Sequence, residues 1–183
     1  MLFRSASFNL DPLGDYVGNG KSYESFREGD LAYSPDLRGT VGAGVMHGRG
    51  SPTAAPNGPD IESTSVNLNT SWKWMGCWAQ AEWYWRSDDP AGASTRGGVG
   101  GYAAFGYVLP KSGDSELQWG LGVRFAEVDF EGGQDGRDYT AVLDMFVRGH
   151  ALKSQLEYTW REREIPGTQT DSNLIRFQFQ LIF

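Results

Sequence analysis

The chain has 183 residues, a formal net charge of −7, two histidines and one cysteine. That length suits one domain or part of one; a single cysteine excludes a disulfide framework or a cysteine-rich zinc site, and the acidic balance argues against a nucleic-acid binder. No apolar run approaches the ~20 residues of a membrane-crossing helix, yet 14% of the residues are aromatic and 25 are glycine, which leaves open the β-barrel, the membrane class whose alternating strands escape hydropathy windows.

Period-two alternation dominates the chain and marks strands with two unlike faces. The first 39 residues carry only faint strands, Phe3–Leu10 and Gly29–Ser34. Residues 40–183 read as strand after strand, so 1–183 is expected to be one β-barrel domain or a segment of one. Thr40–His47 is short and Gly-rich, with Val41, Ala43 and Val45 on one side. Over Thr64–Met75, Val66, Leu68, Trp72 and Trp74 oppose Asn67, Asn69, Ser71 and Lys73. Over Cys77–Arg86, Ala79, Ala81, Trp83 and Trp85 oppose Gln80, Glu82, Tyr84 and Arg86. Gly97–Leu109 alternates more weakly, with Val99, Ala103, Phe105 and Tyr107 on one face. Glu116–Ala126, Tyr139–Arg148, Leu152–Arg163 and a final segment ending at Phe183 complete the set of ten candidates.

The intervening segments are rich in Gly, Pro, Asp and Ser, as turns are. Their lengths alternate. Short ones are expected at Asp36–Gly39, Gly76, Pro110–Asp114 and Gly149–His150, and longer ones at Asp11–Glu28, Arg49–Ser63, Ser87–Arg96, Glu131–Arg137 and Glu164–Asp171. An up-and-down transmembrane barrel with one periplasmic and one external rim has this rhythm. With Phe183 at the periplasmic rim, ten strands would leave both chain ends there. A soluble β-sandwich also alternates. Strands of about a dozen residues favour the membrane. So do the recurring rings near strand ends, an aromatic girdle of Trp72, Trp74, Trp83, Trp85, Tyr107, Tyr139, Tyr158 and Trp160. The N-terminus shows no basic stretch followed by an apolar one, so no signal peptide is visible and a mature, truncated or partial chain is expected.

The segment Arg137–Trp160, with its Arg148-Gly149-His150 turn and Leu152-Lys153-Ser154-Gln155-Leu156-Glu157-Tyr158 strand, followed by Asn173–Phe183, resembles the last three strands of the phosphate-selective porin O and P family. Gly44-Val45-Met46-His47-Gly48-Arg49-Gly50 and Glu116–Phe125 are similar to two further segments of that family, so the likeness spans roughly Gly29–Phe183. The resemblance implies a bacterial outer-membrane channel of about sixteen strands, of which this chain is the C-terminal part. It also implies a homotrimer, or a partner chain that completes the ring, and a ladder of cations that attracts phosphate. Phe183, ending an alternating strand, resembles the signal read by the barrel assembly machinery.

A pore's chemistry lies in the charges lining it. With the aromatic face turned outward, Lys73, Arg86, Arg124, Arg148, Lys153, Arg161, Arg163 and Arg176 point inward, with Glu82, Glu116, Asp144 and Glu157. Such a wall either enriches anions or fills a wet interior with cross-strand pairs. Enzymatic chemistry is not expected. His47 and His150 fall at opposite ends, neither with an evident Ser or Asp constellation. Cys77 reads as a small apolar filler. Gly97–Gly101 lacks the Lys-Ser/Thr and helix of a phosphate loop and eases curvature or leaves room in the lumen. Asp88-Asp89 and Asp135–Asp138 suit calcium or plain turn chemistry equally. The expectation is an all-β, antiparallel, transmembrane up-and-down barrel that passes small hydrophilic solutes passively, leans toward anions, contacts outer-membrane lipids and uses no metal, cofactor or nucleic acid. The alternative is a small closed barrel whose lumen is plugged, acting as a structural or interaction protein.

Overall fold

In a computed structural model the chain is all-β. The structure describes residues 2–13, 29–50, 61–90, 94–113, 115–131 and 133–181. Nine antiparallel strands follow one another in a single up-and-down sheet: β1 (Leu2–Leu10), β2 (Arg38–Gly50), β3 (Ile61–Trp74), β4 (Cys77–Pro90), β5 (Arg96–Val108), β6 (Gln118–Phe130), β7 (Gln134–Phe146), β8 (Leu152–Ile165) and β9 (Thr168–Leu181). β1 and β9 are its edges, and among the described residues they do not pair with each other.

Two sequence expectations need correcting. Gly29–Ser34 is a turn segment and not a strand, so the described residues hold nine strands where ten are expected. Its alternation is too short to hold a ladder, and the Asp30 carboxylate instead accepts from the N–H groups of Ser34 and of the distant Gly76. Because β1 then runs parallel in sense to β9, it enters from the rim opposite the one where β9 ends. Connection lengths also fail to alternate. At the distal rim, β8 and β9 join through Pro166–Gly167 and β6 and β7 through residues 131–133, whereas residues 109–117 at the proximal rim make a longer link. Charged residues that read as loop, such as Asp135, Arg137, Glu164 and Asp171, are strand residues in register.

Turn chemistry explains the tight corners. Met75 and Gly76 both take positive φ, 47° and 85°, the backbone of a type I′ hairpin. Pro166 is followed by Gly167 at φ 82°, which suits a type II turn. Several of the sheet's close approaches share one form, in which a ring on one strand lies over a glycine on the next. Trp72 covers its direct partner Gly39, Trp83 covers Gly101 and Phe130 covers Gly98. Trp78 spans both Gly106 and Gly122. These are the aromatic-over-glycine pairs that pin register in strongly curved sheets. A Cβ at Gly106 would lie 2.4 Å from the Trp78 indole nitrogen and 2.7 Å from the Leu121 carbonyl oxygen. Gly106→Val is therefore expected to destabilise the fold by about 1–3 kcal/mol through overpacking. A denaturant midpoint unchanged from the parent would refute it.

Candidate functional site

The register divides the strand residues into two faces. The first carries Phe8 and Leu10 of β1, Val41–Val45 alternately on β2, and Val66, Leu68, Trp72 and Trp74 on β3. It continues through Ala79, Ala81, Trp83, Trp85, Phe105 and Tyr107, then Trp119, Leu121, Val123 and Phe125. Tyr139, Leu143, Leu156, Tyr158 and Trp160 lead on to Ile175, Phe177, Phe179 and Leu181. All eight sequence-predicted girdle residues share this face.

The exposure pattern is inverted relative to a water-soluble sheet. Leu121, Val123, Phe177 and Ile175 are 55%, 58%, 71% and 73% exposed. Among the described residues, every buried side chain belongs either to the second, polar face or to Asp30: Trp78, Ala104, Val108, Phe146, Thr40, Ser71, Gln118, Asp144, Lys153 and Thr159. The polar face is thus the more shielded side of the sheet and the apolar face the open one.

The apolar band has sharp edges. Phe125, Tyr139 and Trp160 are direct cross-strand partners, with successive ring centroids 5.3 Å apart. One step further out, the same face carries Glu127, Arg137, Glu162 and Asp171 in a row, with Arg137 and Glu127 3.8 Å apart. The band also runs obliquely to the hydrogen-bonded rows. The row that passes through Val66 and Trp85 reaches Asp135 and Glu164, while the uppermost ring of β8 is Trp160, four residues lower. At the lower edge, the row of Trp74 and Tyr107 reaches Leu156, while β8 stays apolar down to Leu152, again four residues lower. Four residues over five strands tilts the strands by about 30° from the normal of the band.

The second face holds seven of the eight predicted cations: Lys73, Arg86, Arg124, Lys153, Arg161, Arg163 and Arg176. Arg148 lies instead in the β7–β8 link, where it bridges His150, and Glu116 precedes β6. Phe183 lies outside the described residues. Sequence parity missed Arg38 and Arg96, which join this face at its two rims. It also missed Asp88 and Asp138, because both were read as loop. These acids matter, since most of the cations have a carboxylate beside them. Arg86 Nε lies 2.9 Å from Asp88, Arg163 Nη1 2.7 Å and Arg161 Nε 3.6 Å from Asp138, and Arg176 Nη1 3.5 Å from Glu157. Lys153 Nζ lies 3.5 Å from Asp144, with both side chains almost fully buried, and 5.5 Å from the centroid of the Phe146 ring. Arg124 stacks on Tyr102, 4.8 Å from the ring centroid. Nine cations against five carboxylates (Glu82, Asp88, Asp138, Asp144 and Glu157) leave this face positive although the chain is acidic.

The two walls of this face differ. From β6 to β9 it is a lattice of ion pairs. From β1 to β5 it is lined mainly by amides and hydroxyls around a cavity of about 350 Å³. Asn69 Nδ2 donates to Asn67 Oδ1 (3.1 Å), and Asn67 Nδ2 donates to Glu82 Oε1 (2.7 Å). Asn9 and Asn69 lean over Gly42, where any side chain would collide with both amides.

At the proximal rim residues 29–34 cross the second face. Asp30 is buried and accepts from the Gly76 N–H (3.0 Å), the Ser34 N–H (2.8 Å) and the Ser34 hydroxyl (2.9 Å). The Tyr33 hydroxyl donates to the Val108 carbonyl oxygen. Burial, with Tyr107 and Asp30 nearby, pushes its ionisation far above the ordinary phenol range, so it stays a donor. Leu31 receives a 3.5 Å hydrogen bond from Gln118, and Gly29 abuts Val108 and Phe146. This strap covers the rim end of the polar face. Phe146 and Val108 beneath it are each 1% exposed.

His47 sits at the distal rim, 2.9 Å from Thr64 Oγ1 and 3.2 Å from Glu62, whereas His150 lies against Phe146 at the proximal rim. No protein-family model, curated protein or solved structure matches this chain.

Proposed function

We propose that this sheet is the wall of a porin-like β-barrel in the bacterial outer membrane, with its ring-bearing face toward lipid and its polar face toward an aqueous lumen that passes small hydrophilic solutes by diffusion. The observation that carries the reading is the inverted burial. Water would drive a continuous surface of Leu, Val, Ile, Phe and Trp to cover itself, and hydrocarbon is the solvent that lets it stay open. Three further features support it. The stretch of β8 whose outward positions lie within the apolar band, Leu152–Trp160, is nine residues long, matching the ~9–11 that a tilted strand needs to cross a bilayer. The ~30° obliquity of the band approaches the ~35–45° strand tilt of outer-membrane barrels. The aromatic rows sit at the band's edges, where rings bridge hydrocarbon and headgroups.

Hydrocarbon tolerates no unpaired strand edge, so β1 and β9 each require a neighbour. The porin O and P resemblance supplies one form for it, a larger ring of this family's kind closed by further strands or a partner chain, with a trimer as the assembly. On this reading the barrel assembly machinery is a partner by way of the terminal Phe183, and no covalent chemistry is involved.

The surplus of cations on the lumen wall favours anions, phosphate among them. The matching carboxylates make that a lean and not a sieve. The measurement is single-channel current across planar bilayers, with reversal potentials in a salt gradient. Conductance with an anion-side reversal potential is expected. Arg124→Glu should lower the anion-to-cation permeability ratio by a factor of about two or more. Cation preference in the parent protein would eliminate the anion reading.

The second reading is a plugged barrel with a structural role. The 29–34 strap, Trp78 and Phe146 and the ion-paired wall from β6 to β9 favour it. Absence of any conductance from correctly inserted protein would select it.

A further inference from the structure

The polar face has one cavity whose lining is not built for ions. It spans β1 to β5 and contains about 350 Å³, within the size range of small-molecule sites. Its walls are Ser7, Asn9, Asn67, Asn69, Gln80 and Glu82, with Tyr102 at one side. The cavity at the distal rim is different. It has about 600 Å³ and is lined by Arg86, Arg96, Asp88 and Glu131, charges of both signs.

From this contrast we infer that the β1–β5 cavity is a subsite for an uncharged, polyhydroxylated solute, a sugar of one or two rings. A sugar offers closely spaced hydroxyls that each donate and accept, so it needs amides and hydroxyls that also do both. It carries no charge, so it needs no cation. Glu82 is the one ionised group among the lining residues, and a carboxylate can accept from two neighbouring hydroxyls at once. The amides are held in advance: Asn69 is bonded to Asn67, and Asn67 to Glu82. Gly42 keeps the floor low beneath Asn9 and Asn69. Groups already oriented lose little entropy when a ligand arrives. Tyr102 is fixed beneath Arg124 and forms the side wall toward the charged half. Arg124 beside Tyr102 is a feature that could bring an oxyanion to the same place, and the test includes one.

This inference rests on the porin reading, because the cavity matters for transport only if the polar face is a lumen. Two measurements separate the two ideas. The full chain, refolded in detergent micelles, is titrated with D-glucose, maltose and inorganic phosphate while tryptophan and tyrosine emission is followed. The same protein in planar bilayers is exposed to the same three solutes. Expected are saturable binding of a sugar in micelles, current interruptions by that sugar in bilayers, and no competition from phosphate. Asn67→Leu combined with Asn69→Leu should weaken sugar binding by about tenfold or more, the loss of at least one or two hydrogen bonds. Gln178→Leu, on the same face of β9 and outside the cavity, should leave it unchanged. Heat-modifiable migration in gels confirms that both variants fold. Sugar binding in micelles without conductance would sink the pore and spare the subsite. Conductance with no sugar response, or displacement of sugar by phosphate at equal concentration, would overturn the subsite and spare the pore.

Discussion

Val123→Arg is expected to destabilise the inserted protein by about 2–4 kcal/mol, the cost of an arginine near the bilayer midplane on the lipid face of a barrel. Val123 lies midway along the apolar stretch Trp119–Phe125 of β6, opposite Phe105 and Ala141, and is 58% exposed in the chain alone. The same substitution distinguishes the membrane from water with opposite expectations. In a soluble sheet, a residue this open tolerates arginine within about 0.5 kcal/mol and gains solubility. In a barrel, the guanidinium must be dragged into hydrocarbon or snorkel past Phe125 toward the charged margin at Glu127. Denaturant titration of refolding into lipid vesicles measures the difference. A control at the margin, Glu162→Arg, should cost less than about 1 kcal/mol, because depth sets the penalty. Equal effects at both positions would remove hydrocarbon from the first face and end the membrane reading.

The second large effect lies on the opposite face. Lys153→Met should cost about 3–5 kcal/mol, the usual result of stranding one member of a buried ion pair. Lys153 and Asp144 are 3.5 Å apart with side chains 9% and 4% exposed. They sit beneath the strap, beside Phe146, where water has least access. Removing the cation leaves Asp144 to hold a charge without its partner. Adding Asp144→Asn to Lys153→Met should restore most of the loss, since neither group then needs a counter-charge. The double-mutant cycle is read from urea unfolding in micelles. A cost below about 1 kcal/mol for the single variant, or none recovered by the second substitution, would show that the pair is hydrated and makes no contribution to the closed end of the polar face. Arg86–Asp88 provides the contrast. Its arginine side chain is 58% exposed, so removing Arg86 is expected to cost under about 1 kcal/mol.

The two pairs also show why the polar face reads as it does. Apart from Arg86–Asp88, which are two residues apart on β4, its ion pairs arise by the same geometry: side chains directly or diagonally opposite on adjacent strands come within reach of each other. Glu157 and Arg176 are direct partners, and so are Asp138 and Arg161. Cross-strand pairing matches most of the charges and leaves a positive surplus that includes Arg124 near the middle and Arg38 and Arg96 at the rims.

What the residues alone determined was parity. Alternation over Thr64–Met75, Cys77–Arg86 and Leu152–Arg163 sorted rings from charges correctly, because a strand's side-chain period is two whatever it pairs with. The shared face of all eight girdle residues follows from that, as does the shared opposite face of the predicted cations from Lys73 to Arg176 apart from Arg148. Parity cannot locate strand ends, since polar residues continue a strand as readily as they begin a loop. Glu131–Arg137 and Glu164–Asp171 looked like long connections because they are acidic and contain glycine or proline. In the fold they are strand margins joined by tight turns, held by pairing with the neighbouring strand. Gly29–Ser34 failed in the opposite sense. It alternates, but its role depends on Gly76 and Val108, 46 and 75 residues away from Asp30 and Tyr33. Register, too, was decided only in three dimensions. It placed Asp138 beside Arg161 and Arg163, gathered Asn9, Asn69 and Glu82 into one row, and set the apolar band oblique to the hydrogen bonds. Each of these depends on which residue of one strand faces which of the next, a relation between distant parts of the chain that no local pattern encodes.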